Sequence, residues 1–538
     1  MNKYVKKLQH FLSDDSVYLD RLFILLILVY FVLGQLLLWN IPYSYPFGGP
    51  DELMHLSMAD YIATHLSWPR WDSTEVVRNA YGVSYSAGGS IVYWLHGLSY
   101  KLFGFHRLGS FLLLTLYLFL TTILYKKNRL SGFLLLAGLF PQTLFILSYV
   151  NSDVGTILTA LLFGMSVGAF VSGKDDIKGF LMLFFFAGLA VTARQHLWAI
   201  AFITLVWTVV YKRHTIYQYD KKIWLWGIFI ALLPASWWFI TSFIANDGDI
   251  LGVFTNAKSI ASFGNPDLPS LSRSWEDISL GTFLYSTLTS LYANWGWTSL
   301  PLSEYAYILT ALIAFSIVSV VFQKINKKIF IFFSMLVFAN LGFMILYSVA
   351  YDYQAQGRYL FPSIYIVLGA IATILIYQKV SSKMLLLLFI VFSLQNLYFS
   401  TYQTLFRYIE PFIEKPVLLT TMKPTNHYAH ASFHIDSLKV VEDKLFIAGW
   451  AFDNKVAKPF KNLDLLLNKD NRYYKVALHT KIRPDLVTAF KNKALDKAGF
   501  TATYISLKNL EKTNYKLLLF MEVDHQMQYV DINQSLKL

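Results

Sequence analysis

The sequence predicts a polytopic α-helical membrane protein that carries a β-sandwich domain at its C-terminal end. Three observations support this fold class. Of the 538 residues, 55% are hydrophobic and only 15% are charged. The apolar residues form separate runs of about 20, the length that crosses a bilayer as an α-helix. Lysine and arginine concentrate in the short loops between these runs, which indicates the loops that face the cytoplasm.

Eleven apolar runs are predicted to cross the membrane, starting from a cytoplasmic N-terminus that contains Lys3, Lys6 and Lys7. The stretch 179–211 counts as two of them, because basic residues flank both of its ends and two passes return the chain to the same face. An odd number of spans places the C-terminus outside the cell. The predicted spans are about 22–40, 107–125, 130–149, 154–171, two within 179–211, 223–243, 304–322, 329–349, 360–377 and 384–402.

The predicted spans divide the chain into a transmembrane domain over 1–410 and a tail over 415–538. Large outer loops are expected at 41–106 and 244–303. Within the first loop, residues 90–105 are apolar but interrupted by polar residues and glycines, and they predict an amphipathic helix at the membrane surface. The tail is charged and contains strand-like runs such as KLFIAGWAF and YKLLLFMEV, which predict an extracytoplasmic β-rich domain.

The composition excludes several classes of function. The net charge of +13 would suggest nucleic acid in a soluble protein, but here the positive-inside rule explains it, so no nucleic-acid partner is expected. The chain has no cysteine and therefore no disulfide, thiolate ligand or cysteine nucleophile. It also lacks a phosphate-binding loop, a serine nucleophile elbow, a zinc-protease motif and a dinucleotide fingerprint.

Two neighbouring acids, Asp51 and Glu52, follow the first span in the sequence GGPDELMH. Pro50 suits the first position of a helix, so both acids are predicted in its first turn, with His55 one turn later. One interpretation is that the acids only offset the helix dipole, by about 0.3–1 kcal/mol each. The other is that one of them acts as a general base on an acceptor hydroxyl beside the lipid.

The remaining polar candidates are predicted at the same outer face. Arg358 opens the span 360–377, where a cation opposes the helix dipole, so it either binds a lipid phosphate or anchors the helix at the interface. Arg194 is a second phosphate candidate or an ion-pair partner of Asp153, and Asp153 could instead cap its own helix. His55, His196 and Gln356 complete the candidate substrate site, although hydrogen-bonded structural roles are the alternative for the histidines.

The motifs PDELMH, NSD, NWGWTSLPLSEYAY and QGRYLFP resemble a family of bacterial membrane proteins of formerly unknown function, over about residues 20–400. That family is similar in layout to the GT-C superfamily of glycosyltransferases, which depend on polyprenyl-phosphate sugars. One departure is Leu53, where relatives often have proline. The resemblance implies a bacterial plasma-membrane enzyme that moves a sugar from a polyprenyl-phosphate donor to a cell-wall or surface polysaccharide at the outer face.

The resemblance also implies roles for individual residues. Asp51, with Glu52 as its neighbour, corresponds to the acid that serves as base or metal ligand in GT-C enzymes. Arg358 and, with it, Arg194 correspond to the basic groups that hold the donor phosphate. No cofactor is certain, and a divalent cation bound by Asp51, Glu52 and Asp153 stays open.

Other functions stay open at this point. A flippase or transporter of lipid-linked glycans would need a polar path, but it should have polar residues deep within its spans and inverted repeats. A polysaccharide polymerase or ligase would share the large outer loops and join whole oligosaccharides. In the tail, Trp450, Tyr473 and Tyr474 could stack on sugars of an acceptor or belong to the core of the domain.

Overall fold

The computed structural model forms two compact units, Met1–Ser272 with Leu280–Thr404 and Arg273–Ser279 with Leu405–Leu538. The first unit is helical and the second is rich in strands. Residues described by the structure are 11, 16–41, 49, 51–79, 81–86, 90–265, 274–276, 278–295, 300–409, 417–419, 426–441, 444–460, 463–470, 472–481, 483, 486, 490–507, 510–523 and 526–537.

The described part of the first unit contains seventeen α-helices, and a short 3-10 turn, Gly357–Leu360, leads into the sixteenth. In chain order the helices are α1 Val17–Asn40, α2 Glu52–His65, α3 Val92–Phe103, α4 Leu108–Lys127, α5 Arg129–Ala137, α6 Pro141–Ile146, α7 Asp153–Val171, α8 Ile177–Val191, α9 Gln195–Tyr211, α10 Arg213–Ile216, α11 Lys221–Ala245, α12 Val253–Phe263, α13 Leu280–Ala293, α14 Glu304–Lys324, α15 Lys327–Ala350, α16 Phe361–Tyr377 and α17 Lys383–Gln403.

Among the described residues, eight helices are long and apolar enough to cross a membrane. They are α1, α4, α7, α11, α14, α15, α16 with its 3-10 turn, and α17. Two shorter apolar helices, α8 and α9, divide the stretch 179–211 at Thr192–Arg194, as the basic residues at both of its ends predict. This arrangement confirms a polytopic helical membrane protein.

The prediction of one continuous span over 130–149 is wrong. The chain instead forms α5, of 9 residues, and α6, of 6 residues. Pro141 opens α6, and because proline has no amide hydrogen and restricts the residue before it, it favours a new helix start over the continuation of α5. In the first predicted outer loop, α3 has 12 residues and is too short to cross a bilayer.

Close packing of α7 against α16 forms the centre of the helical unit. A Cβ atom added to Gly164 would lie 2.1 Å from the carbonyl oxygen of Ile366, and one at Gly168 would lie 2.3 Å from that of Ala370. Small residues of this kind allow membrane helices to approach backbone to backbone. The two helices run parallel, so Asp153, the first residue of α7, and Arg358, which precedes α16, are brought together at the same end.

Uncharged polar side chains are also buried among the long helices, where the sequence predicts few. Gln395, on α17, donates hydrogen bonds to Tyr292 at 3.1 Å and Thr310 at 2.6 Å. Its neighbour Asn396 donates to the carbonyl of Ala137 at 2.8 Å and accepts from Tyr292 at 3.0 Å. These contacts join four helices by hydrogen bonds without placing a charge in the membrane.

The second unit is a β-sandwich, in agreement with the predicted β-rich tail. One sheet has the order β10-β11-β6-β5, with β7 paired to β6, and the other has the order β3-β9-β8-β12-β13-β4. Apart from the parallel pair β4 and β13, the neighbouring strands are antiparallel. The strands are β3 Val417–Leu418, β4 Asn426–His427, β5 Ala431–Val441, β6 Lys444–Asp453, β7 Lys458–Pro459, β8 Leu463–Lys469, β9 Arg472–Ala477, β10 His479–Lys481, β11 Gly499–Ser506, β12 Asn514–Val523 and β13 Gln526–Lys537, while β1 Asn294–Trp295 and β2 Leu300–Pro301 form a short hairpin in the helical unit.

The core of the sandwich lies between its two sheets. Leu445 and Ile447 of β6 pack with Leu467 of β8 and Leu519 of β12, and all four are buried. Leu445 and Ile447 are two residues apart on β6, so their side chains lie on the same face of the sheet, the face that is turned to the core.

The aromatic residues of the tail that the sequence singles out pack against buried clusters. Tyr474 packs against the core between the sheets, and Tyr473 against a second cluster formed by Leu466, Leu518 and Phe520. Trp450 stacks on Phe452, with ring centroids 5.7 Å apart. All three candidates therefore contribute to packing in this domain.

Candidate functional site

Asp51 precedes helix α2 and holds an unusual backbone conformation. Its φ is 59°, in the left-handed region, which aspartate tolerates better than most residues. The expectation that Asp51 lies in the first helical turn is wrong, because the helix starts at Glu52; Pro50 lies outside the described residues. The Asp51 carboxylate makes no helix-capping hydrogen bond and instead accepts one from Tyr85 Oη at 2.9 Å.

Glu52 is buried, with both carboxylate oxygens bound by one arginine. Arg107 donates from Nε to Oε1 at 2.8 Å and from Nη2 to Oε2 at 2.7 Å. The amide of Val150 also donates to Oε1, at 3.0 Å. Arg107 Nη1 in turn donates to the carbonyls of Leu38 and Ile41, at 2.9 and 2.7 Å. Glu52 therefore joins the end of α1, the start of α4 and the turn before α7, and its oxygens are occupied.

Arg358 lies in the 3-10 turn before α16, buried between two carboxylates. Its Nη1 is 3.6 Å from Asp153 Oδ2, and its Nη2 is 3.8 Å from Asp51 Oδ2. Both distances exceed those of a hydrogen bond, although they allow electrostatic attraction. Within the described part of the chain, Nε of Arg358 is buried and has no hydrogen-bond partner. The guanidinium therefore has donors that an anion could use.

Asp153 is the carboxylate that the two arginines share. Arg194, in the turn between α8 and α9, donates a hydrogen bond to Asp153 Oδ1. Burial lowers the pKa of the Arg194 guanidinium, but Asp153, together with Tyr359 and Tyr85, raises it by more, so Arg194 is charged. The backbone amides of Asp153 and Val154 donate to the side chain of Asn151, at 2.8 and 3.2 Å, which leaves the Asp153 carboxylate for the arginines.

His55 belongs to an aromatic wall beside Asp51. Its ring stacks on Tyr85 with centroids 4.1 Å apart, and its Nδ1 lies 2.5 Å from Tyr93 Oη. Burial, and then the charge of Arg194, lower the pKa of His55 well below 6.5, so the imidazole is neutral. Burial, and then Asp51, raise the pKa of Tyr85 well above 10.0, so its hydroxyl keeps the proton that it donates to Asp51.

Tyr149 completes the wall from the turn before α7. A Cβ at Gly49 would lie 2.0 Å from the Tyr149 ring. Because glycine has no Cβ, the chain before Asp51 can pass close to this ring. Tyr149 Oη is buried and has no hydrogen-bond partner among the described residues. Burial raises the pKa of Tyr149, so the hydroxyl stays a neutral donor.

Gln356 and His196 contact residues around the charged cluster, which is formed by Asp51, Asp153, Arg194 and Arg358. Gln356 donates to Gln354 at 3.2 Å, and Gln354 donates to Asp352. The ring of His196 lies edge-on to Tyr359, with centroids 5.5 Å apart. Its Nε2 is buried and, within the described chain, unpartnered. The guanidinium carbons of Arg194 and Arg358 lie 5.8 and 5.4 Å from the centre of the same Tyr359 ring.

The site therefore brings Asp51, Asp153, Arg194 and Arg358 together, from four separate parts of the sequence. Sequence reasoning missed Arg107, although this residue precedes a span at its predicted outer end, the same pattern that singled out Arg358. It also missed Tyr85, for which the sequence gives no signal. In the described ranges, no group of three or more histidine, aspartate or glutamate side chains is arranged to hold a metal ion.

Comparison with known proteins shows the family of the chain. The family model described as "Predicted membrane protein (DUF2142)" matches residues 78–367, more than half of the sequence. The protein is a member of this family. The matched range contains Asp153, Arg194 and Arg358, whereas Asp51 and the β-sandwich lie outside it. Together with the eight long apolar helices in the described part of the chain, this membership identifies a membrane protein.

Solved structures and curated proteins add little to the family assignment. Two crystal structures of ArnT from Cupriavidus metallidurans, one bound to undecaprenyl phosphate and one in the apo state, are similar to this DUF2142 protein at 14% identity and a TM-score of 0.42. The matches cover 68% and 69% of this chain but only 60% and 61% of theirs. No curated protein matches the chain.

Proposed function

We propose that this DUF2142 protein is a membrane glycosyltransferase that moves a sugar from a polyprenyl-phosphate donor to a polysaccharide hydroxyl. The observation that carries the proposal is the position of Arg358, buried beside two carboxylates, with an Nε that has no partner among the described residues. A buried guanidinium with unused donors suits a phosphate group. The PDELMH and QGRYLFP motifs resemble a bacterial membrane-protein family whose layout is similar to that of the GT-C glycosyltransferases, and this resemblance suggests the class of donor.

Asp51 is the proposed general base. Its side chain is 21% exposed, whereas that of Glu52 is 0% exposed and bound to Arg107. Of the two neighbouring acids, Asp51 is thus the one that a substrate can reach. Asp51 removes the proton from the acceptor hydroxyl as that oxygen forms a bond to the anomeric carbon of the sugar. General-base catalysis of this kind contributes about 10²–10⁴-fold to a rate.

Arg358 is the proposed partner of the leaving group. The bond between the anomeric carbon and the phosphate oxygen breaks, and its electron pair leaves with the polyprenyl phosphate. The phosphate gains one negative charge in this step, and a fixed cation beside it lowers the barrier because the charge develops in the transition state. The entering donor phosphate would take donors of Arg358 that make no hydrogen bond to any residue the structure describes.

The other predicted site residues receive positioning roles. Glu52 holds α2 through Arg107, and this contact replaces the predicted role of Glu52 as a neighbouring catalytic acid. Asp153 and Arg194 form a pair that sets the position of Arg358. His55 orients Tyr85 and through it the Asp51 carboxylate.

His196 and Gln356 remain candidates for contacts with the donor sugar. His196 Nε2 is buried and unpartnered among the described residues, so it can bind a hydroxyl. Gln356 lies two residues before Arg358, in the same loop as Asp352 and Gln354. Burial raises the pKa of Asp352.

The acceptor is proposed to be a cell-wall or surface polysaccharide at the outer face of a bacterial plasma membrane, with the β-sandwich as the part that holds it. Direct stacking by Tyr473 and Tyr474 is not part of this proposal, because both side chains pack against clusters of the domain itself. A divalent cation is not assigned, because the two carboxylates nearest to Arg358 already face arginines.

A transfer assay tests the proposal. Full-length protein is reconstituted in liposomes with a series of polyprenyl-phosphate sugars labelled in the sugar, and isolated cell-wall polysaccharide is added outside. We expect covalent label in the polysaccharide with at least one donor and none in protein-free liposomes. If the labelled lipid crosses the bilayer while no donor ever labels the acceptor, the protein is a transporter and the glycosyltransferase proposal is wrong.

A further inference from the structure

A basic cavity lies at the end of the helical unit opposite the candidate site. Four lysines line it, Lys126, Lys127, Lys379 and Lys383, in a space of about 1220 Å³. Lys379 follows the C-terminal end of α16, whereas Arg358 precedes the N-terminal end of the same helix. A 17-residue helix is roughly 25 Å long, so the basic cavity and the candidate site are separate.

The positive charge of the basic cavity is not neutralised by the acid that lines it. Asp20 accepts two hydrogen bonds from Arg129, at 2.8 and 2.9 Å, and a third from Tyr125 Oη at 2.5 Å. Asp20 and Arg129 therefore compensate each other. No ion pair of Lys126, Lys127, Lys379 or Lys383 is found among the described residues, which leaves four positive charges around one cavity.

Helix dipoles do not account for these four lysines. Two helices end at the basic cavity, α4 at Lys127 and α16 at Tyr377, and two begin there, α5 at Arg129 and α17 at Lys383. The partial negative charges of two C-terminal ends and the partial positive charges of two N-terminal ends cancel. The lysines therefore remain as an excess, available to an external anion.

The helix ends and loops that carry the lysines are held together by side chains. Asn128 donates to the carbonyls of Leu375 and Val380, at 3.4 and 3.3 Å, and its Oδ1 accepts from the amide of Ser131. Ser382 caps α17 by accepting from the amide of Leu385 at 3.3 Å. The loop between α4 and α5 is thus fixed against the loop between α16 and α17, which brings the backbone positions of the four exposed lysines together.

The lining of the basic cavity changes from charged to apolar along the helices. Phe23, Ile24, Ile376 and Leu386 line it on the side of the long helices, and Phe23 stacks on Tyr125 with centroids 3.7 Å apart. A free inorganic anion would gain nothing from these residues. A ligand with a phosphate group and hydrocarbon chains would match both parts of the lining.

We propose that the basic cavity binds the headgroup phosphate of an anionic phospholipid, with the acyl chains on the apolar side formed by Phe23, Ile24, Ile376 and Leu386. The lysines bind the phosphate as point charges, and the hydroxyl of Ser382 and the amide of Asn128 line the same space. This inference does not depend on the proposed transferase activity, because the cavity shares no residue with the candidate site.

Binding of dioctanoyl phosphatidylglycerol to purified full-length protein in a neutral detergent tests this inference by calorimetry. The cavity variant replaces Lys126, Lys127, Lys379 and Lys383 with glutamine. The matched control replaces Lys221, Lys222, Lys327 and Lys328, which are exposed lysines that open α11 and α15, so both variants lose four positive charges. Lys379→Gln and Lys383→Gln single variants are measured as well, in case the quadruple variant does not fold.

We expect the Kd for the lipid to rise by about tenfold or more in the cavity variant and by less than that in each single variant. In the control, the Kd should change by less than about twofold. Equal losses in the cavity variant and the control would overturn the proposal, because they would indicate a diffuse effect of charge. Dioctanoyl phosphatidylcholine binding as tightly as phosphatidylglycerol would also overturn it. Inorganic phosphate binding as tightly as the lipid would show a site for soluble anions instead.

Discussion

The guanidinium of Arg358 faces the carboxylate of Asp51 at 3.8 Å, too far for a hydrogen bond and close enough for attraction. Asp51, the proposed base, and Arg358, the residue proposed to bind the phosphate, are therefore neighbours in the free protein. Each can still form further hydrogen bonds. A donor phosphate that binds Arg358 would weaken its attraction for Asp51. In this account, binding of the donor prepares the base for the acceptor hydroxyl.

Replacement of Arg358 by lysine should impair use of the donor more than use of the acceptor. Lysine keeps the positive charge but loses the planar set of donors that binds a phosphate with two hydrogen bonds. We expect an increase in the KM for the donor of about tenfold or more, with a decrease in kcat. Kinetics with the donor varied at saturating acceptor measure this. In the control, Arg213→Lys at an exposed position of α10, both constants should stay unchanged.

Replacement of Glu52 by glutamine should destabilise the protein, because Arg107 would keep a buried charge without a counter-charge. Removal of one partner of a buried ion pair costs about 3–5 kcal/mol. We expect a clearly lower unfolding temperature in detergent, measured by intrinsic fluorescence. Glu304→Gln, at an exposed position in the first turn of α14, is the control and should change the temperature little. Unchanged stability of Glu52→Gln would mean that the Glu52–Arg107 pair does not hold α2.

Replacement of Gly164 by alanine should separate α7 from α16. The new Cβ would lie 2.1 Å from the carbonyl oxygen of Ile366, so one helix backbone must move, at a cost of about 1–3 kcal/mol. Gly342→Ala is a matched control within α15, since a Cβ there meets no atom within 4 Å. We expect the unfolding temperature to fall in Gly164→Ala and to stay unchanged in Gly342→Ala. Because α7 and α16 also position Asp153 and Arg358, transfer activity should fall with it.

The stability of the protein should decrease as the pH is lowered from about 6.5 to about 4. Burial lowers the pKa of His96, on α3, from 6.5 to about 4, so between these values the unfolded chain binds a proton that the folded protein does not. Its contribution is complete above pH 6.5 and decreases below it, by roughly 3 kcal/mol at most. Unfolding temperatures measured across this range should depend less on pH in His96→Asn, whereas the exposed control His214→Asn should match the wild type. An identical pH dependence in His96→Asn and wild type would assign the effect to other groups.

The sequence predicts the helical membrane unit and the β-rich tail because both follow from hydropathy and local periodicity. It does not predict the break between α5 and α6, since the apolar run over 130–149 is long enough for one span and the effect of Pro141 depends on its surroundings. Nor does it predict the buried hydrogen bonds of Gln395 and Asn396, whose partners lie on helices distant in the sequence.

For the candidate site, topology alone indicates that Asp51, Asp153, Arg194 and Arg358 lie at one end of the helices. What topology cannot predict is which of two adjacent acids is buried. The left-handed backbone at Asp51 turns the two side chains to different surroundings, and Glu52 reaches Arg107 while Asp51 reaches Tyr85. A sequence without coordinates contains no signal for that difference.

The most direct test of the proposed base compares transfer by Asp51→Asn with transfer by Asp60→Asn. Asp60 lies on α2 and is exposed, and its carboxylate contacts His106 outside the charged cluster. The account predicts that Asp51→Asn lowers kcat by about 10²-fold or more while the protein stays folded, and that Asp60→Asn transfers sugar at the wild-type rate. Transfer by Asp51→Asn at the wild-type rate would contradict the account, because Glu52 and Asp153 are both buried and hydrogen-bonded to arginines and could not replace Asp51 as the base.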